Sequence, residues 1–185
     1  QGYCTDVWFD ETMRFAESNR EQPFFVYLPT NSPHGPHHVP RKYVEPYLDR
    51  EDIPASRAWF YGMCANIDEN IGRLRRRLEE LGIADHTILV FLTDNGTAAG
   101  AGTEEKSGLT SNGYNAGMRG KKGMAYEGGH RAACFMHWPG GGLDEARDVE
   151  PVASHMDLFP TLIDLCGMQA TADLSFDGDS LVPLL

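Results

Sequence analysis

Thr87-Ile88-Leu89-Val90-Phe91-Leu92-Thr93-Asp94-Asn95-Gly96 decides the fold. Its first seven residues are apolar or β-branched and run straight into a carboxylate, an amide and a glycine. A short run of this kind, bounded by turn formers, reads as a strand buried on both faces, the habit of a parallel sheet. Pro23-Phe24-Phe25-Val26-Tyr27-Leu28 carries the same signature upstream, and Ala132 to Trp138 offers a third strand. Between the first two, Phe60, Met63, Ile67, Ile71, Leu74, Leu78 and Leu81 recur at steps of three and four, which predicts a helix from about Ala55 to Leu81. Pro54 precedes it and Gly82 can stop it. Its other face, with Arg73, Arg75, Arg76, Arg77, Glu79 and Glu80, reads as solvated. Further helices are expected over Thr5 to Asn19 and over Asp157 to Cys166, where Pro160 sits in the first turn and Gly167 ends the run. The alternation is that of an α/β sandwich with a mostly parallel sheet between helices. Ligands of such sheets sit beyond the carboxyl ends of the strands.

The chain has 185 residues, 41% of them hydrophobic, enough for one globular domain over 1–185 with a real core. A net charge of −11 argues against nucleic acid, whose phosphates need a basic face. It favours small soluble ligands or metal cations. No apolar run approaches the ~18 residues of a membrane span. Cys4, Cys64, Cys134 and Cys166 stand singly without a C-x-x-C pair, which disfavours a zinc ribbon or a thioredoxin-type site and leaves disulfides open. Gln1 to Asp6 shows no basic segment followed by an apolar one, so no secretory signal is in view.

Three segments could carry chemistry. Asp94 and Asn95 lie side by side at the carboxyl end of the central strand, and their oxygens are hard donors suited to calcium or magnesium. Asn95-Gly96 is equally a turn signal. Ser32-Pro33-His34-Gly35-Pro36-His37-His38-Val39-Pro40 follows the first strand, so three histidines also lie at the sheet edge. A proline-rich loop can hold an imidazole in place, and His34 could donate a proton to a leaving group near neutral pH. A solvated loop is the plainer reading, and a zinc cluster has no matching motif elsewhere. Arg119-Gly120-Lys121-Lys122-Gly123 sets two ammonium groups between glycines, where an oxyanion can approach the backbone. It lacks the preceding strand and spacing of a P-loop, and an exposed basic loop is the alternative. Glu127 and Arg131, just downstream, are spaced to pair with each other.

In combination and in this order, these segments resemble the sulfatase family of the alkaline-phosphatase superfamily. The residues that carry the likeness are Pro23-Phe24-Phe25, His34, Asp94-Asn95-Gly96, Lys122-Gly123 and Tyr126-Glu127-Gly128-Gly129-His130-Arg131. Asp157-Leu158-Phe159-Pro160-Thr161-Leu162 and Asp177-Gly178 through Leu184-Leu185 resemble the close of the family's main domain, so the likeness covers almost the whole chain. It implies an alkaline-phosphatase-like α/β fold, here incomplete, the chain being the C-terminal part of a catalytic domain. It further implies that Asp94 and Asn95 ligate calcium rather than magnesium. Lys122 would hold a sulfate oxygen, and His34 would contact the sulfate near the leaving oxygen. The implied partners are a sulfated small molecule or glycan and the missing N-terminal half. The implied location is periplasmic, secreted or lysosomal.

The largest departure is the nucleophile. The family makes a formylglycine from the Cys or Ser of a Cys/Ser-x-Pro/Ala-x-Arg motif, and none of the four cysteines lies in one. The paired aspartates that complete the calcium shell also belong upstream. His130 stands where the family has an aliphatic residue, and Lys121 gives the loop a second lysine, although Lys122 lies at the family's distance from Glu127. Two other readings remain: a phosphate mono- or diester hydrolase of the same superfamily, and a non-catalytic module that binds anions and calcium.

Overall fold

The computed structural model describes residues 2–171 and 174–185. These fall into two compact units, Gln1–Gly141 and Gly142–Leu185.

The first unit is organised by two helices. Helix α1 spans Cys4–Asn19. After a short helix α2 at Glu45–Leu48 comes α3, Ala55–Glu80, which begins after Pro54 and ends at Leu81. Gly82 takes φ +71°, a left-handed conformation natural to glycine just past a helix end. The two halves of α3 serve different cores. Ala58 and Met63 pack with Val39, Tyr43 and Val44, while Leu74 and Leu78 pack with Phe9 and Ala16 of α1. Gly62 admits the loop before α2, since a Cβ there would lie 3.0 Å from the Val44 side chain.

Between α1 and α3 runs a polar seam. Asp6 accepts hydrogen bonds from Asn66 and Asn70 at 2.7 and 2.8 Å, and both asparagines are buried. Arg73 pairs with Asp10, and Arg77 with Glu17 at 2.8 Å. The arginine face of α3 is therefore only partly solvated: Arg75 and Arg76 are exposed, whereas Arg73 and Arg77 fasten the helix to α1. Helical periodicity located the apolar stripe but could not foresee that a second helix lies against the flank beside it.

The strands depart further from expectation. Strand β1, Leu89–Leu92, pairs antiparallel with β4, Cys134–His137, in the register Leu89 to His137 through Leu92 to Cys134. Strands β2, Ala101–Thr103, and β3, Thr110–Gly113, form a second antiparallel pair that the sequence did not announce. Both ladders among the described residues are antiparallel, so the mostly parallel sheet is not formed here. A parallel partner needs a crossover that carries the chain back to the start of the first strand. Residues 93–133 stay beyond the end of β1 instead, so β4 starts where β1 stops. None of the four residues of β1 is fully buried.

Pro23 to Leu28 joins no ladder. Its exposure alternates: Phe24, Val26 and Leu28 are half-buried, and Phe25 and Tyr27 are 76% and 77% exposed. This is the exposure pattern of a strand without a strand partner. The architecture is that of an incomplete α/β domain, with helices and two small sheets. In the second unit, α4, Leu158–Leu165, matches the predicted last helix, with Pro160 in its first turn and Gly167 at φ +61° after it. All four cysteines are free.

Candidate active site

Asp94 and Asn95 follow β1 directly. Their loop is anchored to the strand pair by Thr93, whose N–H donates to the Ala133 carbonyl at 3.0 Å and whose hydroxyl accepts from the Ala133 N–H at 3.1 Å. Asn95-Gly96 is no hairpin turn, because β1 pairs with β4 and not with the next strand. Gly96 instead makes a crossing point. Its N–H donates to the Gly129 carbonyl at 3.1 Å, and a Cβ on it would lie 1.9 Å from the Gly128 oxygen. Gly128 crosses Gly120 in the same manner, at 2.2 Å from the Gly120 oxygen, and donates to the Arg119 carbonyl at 2.7 Å. Only glycine lets three backbones approach so closely.

This crossing brings Lys122 to the Asp94 loop. The Lys122 N–H donates to the Thr97 carbonyl at 2.8 Å, three residues past Asp94. Buried Asn115 supports the turn before it, donating to the carbonyls of Met118 and Gly120 at 2.5 and 2.9 Å. Arg119 lies over the Tyr126 ring at 3.8 Å and donates to Tyr126 Oη and the Ser107 carbonyl. The Lys122 side chain is exposed and so is Asp94, while Asn95 is half-buried. Glu127 and Arg131 meet through a backbone hydrogen bond, Arg131 N–H to the Glu127 carbonyl at 2.8 Å; no charge pair joins them among the described residues.

His34 belongs to a separate loop. Its N–H closes a turn onto the Asn31 carbonyl at 2.9 Å, and its exposed ring places Nδ1 2.8 Å from the Gly35 carbonyl. A carbonyl oxygen only accepts, so Nδ1 carries the hydrogen and Nε2 is the atom left to meet a ligand. The two loops share a base at the start of α3. The His37 ring packs edge-on against Phe60 at 5.9 Å, and a Cβ on Gly100 would lie 3.1 Å from the same Phe60 ring. One turn earlier Arg57, 8% exposed, donates to the Ala99 carbonyl at 3.2 Å and to Asn112 Oδ1 at 2.5 Å. Sequence reasoning missed Arg57 and Asn115. An arginine opposite the charged end of a helix, and an asparagine in a glycine-rich loop, carry no periodic signal.

The Asp94 carboxylate and the Asn95 carbonyl are hard oxygen donors, the right chemistry for calcium, but two donors fill only part of a shell of about six to eight oxygens. No group of three or more His, Cys, Asp or Glu side chains is arranged to hold a metal among the described residues. The residues therefore fit a share of a calcium site. No helix of the described residues is long and apolar enough to cross a membrane.

The family model for sulfatases matches residues 1–168. Mouse steryl-sulfatase is 34% identical over 179 residues, 95% of this chain and 26% of that protein. Human N-acetylgalactosamine-6-sulfatase is 29% identical over 98% of this chain and 32% of its own length. The crystal structure of Ps i-CgsB in complex with k-i-k-neocarrahexaose superposes with a TM-score of 0.81 at 28% identity, covering 99% of this chain and 38% of that one. The chain thus spans about a quarter to a third of the curated relatives it matches. With a family model over nine-tenths of its length and a relative 34% identical over 95% of it, this chain belongs to the sulfatase family.

Proposed function

We propose that this chain is the C-terminal part of a sulfatase catalytic domain and holds the calcium- and sulfate-facing loops of a sulfuric ester hydrolase. The observation that carries the reading is the hydrogen bond from the Lys122 N–H to the Thr97 carbonyl, which ties the ammonium-bearing loop to the loop of Asp94 and Asn95. Asp94 and Asn95 contribute two oxygens to calcium, which when bound would draw charge from sulfate oxygens. Lys122 holds a sulfate oxygen and offsets the charge that develops on it. His34, with Nδ1 engaged by its own loop, presents Nε2; in the imidazolium form it gives that proton to the departing alcohol. The formylglycine and the remaining calcium ligands belong to an upstream half, whose strands would also pair with the segment Pro23 to Leu28 and complete a parallel, alkaline-phosphatase-like sheet. The substrate class is a sulfated small molecule or glycan, and the setting periplasmic, secreted or lysosomal.

The test combines a binding and a rate measurement. Calcium titration of the chain mixed with the upstream half should show binding that Asp94→Ala abolishes, and the mixture should hydrolyse a chromogenic aryl sulfate while the chain alone does not. Turnover by the chain alone would mean that the nucleophile lies within these residues. Turnover of aryl phosphate in preference to sulfate would favour a phosphate ester hydrolase. Calcium binding without turnover by the mixture would leave a binding module.

A further inference from the structure

The first turn of α1 reaches the His34 loop at consecutive residues. Tyr3 Oη and Thr5 Oγ1 lie 3.2 and 3.1 Å from Ser32 Oγ, and Cys4 Sγ donates to Asn31 Oδ1 at 3.8 Å. Thr5 is 0% exposed and Ser32 8% exposed, so this hydroxyl pair is buried although His34, two residues on, is exposed. The next residue of α1, Asp6, is fixed in turn by Asn66 and Asn70 of α3. A continuous set of contacts therefore runs from α3 through α1 to Ser32, while the His34 ring itself bonds only within its own loop. Nothing in a helix core requires hydroxyls at Thr5 and Ser32. Valine and alanine would fill the same space, so the pair supplies direction, which apolar packing lacks.

We propose that Thr5 and Ser32 are positioning residues for His34, setting the register of its loop so that Nε2 faces the sulfate ester; this rests on the reading of His34 as a sulfate contact. Replacing both partners of a buried hydrogen bond by apolar groups of similar shape is nearly neutral for stability, whereas removing one leaves the other unpaired. The double variant Thr5→Val/Ser32→Ala therefore separates positioning from folding, because Tyr3 Oη, the third hydroxyl at Ser32, belongs to a half-buried residue within reach of water. Three measurements decide: the melting temperature of the chain, exchange of the His34 amide, and aryl sulfate turnover by the chain mixed with the upstream half. The double variant should melt near the wild type, yet exchange its His34 amide roughly five- to tenfold faster, in proportion to one lost hydrogen bond. Its kcat should fall toward that of His34→Ala at unchanged KM, and the alkaline limb of its pH profile, where a proton donor is lost, should move. Thr5→Ser, which keeps the hydroxyl, should restore all three. Unchanged His34 exchange and turnover in the double variant would overturn the proposal, as would equal loss of protection throughout α1 and α3. If His34→Ala turns over as fast as the wild type, the role of His34 fails instead, and the His34 amide still shows whether Thr5 and Ser32 order the loop.

Discussion

Replacing Gly96 by alanine puts a methyl group 1.9 Å from the Gly128 oxygen, 2.7 Å from the Gly128 carbonyl carbon and 3.1 Å from that of Gly129. All the obstructing atoms are backbone, so no side chain can swing away. Ordinary carbon–oxygen contact begins at about 3.3 Å, so the two loops must part by roughly 1.4 Å. That displacement breaks the 3.1 Å bond from the Gly96 N–H to Gly129 and strains the 2.8 Å bond from the Lys122 N–H to Thr97. Overpacking costs about 1–3 kcal/mol and each backbone hydrogen bond adds about 1 kcal/mol, so the junction should lose roughly 3–5 kcal/mol. Urea unfolding of Gly96→Ala measures the global share, and exchange of the Lys122 amide measures any local opening that precedes it. Gly82→Ala is the control: its Cβ meets nothing within 4 Å, and only the φ of +71° opposes it, at about 1 kcal/mol. If Gly96→Ala unfolds within about 0.5 kcal/mol of the wild type and its Lys122 amide stays protected, the two loops are not joined through this crossing.

Arg57→Met keeps the stem but removes the donors to Ala99 and Asn112; charged hydrogen bonds of this kind are worth about 1.5–3 kcal/mol each, and the β2–β3 pair should exchange its amides faster while α3 amides stay slow. Burial pushes the Cys64 thiol up to about 11, so its thiolate is scarce at pH 8 and alkylation should label exposed Cys4 and Cys166 well before Cys64. The Ser154 and Asp179 N–H groups, donating to its carboxylate at 2.6 and 2.9 Å, hold Asp157 below the usual aspartate range. A lowered folded-state pKa adds stability above the unfolded value of about 4, and that stability is lost as pH falls through the folded value. Melting of Gly142–Leu185 should therefore be less stable in Asp157→Asn at neutral pH, with the difference from wild type closing in acid.

Local patterns in the sequence determined the three longest helices, because each is written in contacts three and four residues apart. The stripe from Phe60 to Leu81 gave α3, and Pro54 and Gly82 marked its ends. Asp94, Asn95, Lys122 and His34 were also visible, since each sits beside a run that reads as a strand or between glycines. Pairing direction was not legible. Val90 and Phe91 can serve a parallel or an antiparallel ladder equally well, and the choice depended on residues 93–133 remaining at one end of β1. Nor could spacing reveal that Gly96, Gly120 and Gly128 cross one another, or that Arg57 and Ser32 are buried anchors. Those facts depend on residues from 8 to 55 positions apart meeting in space, where the decisive quantity is how closely backbones approach, and only the tertiary structure sets that distance.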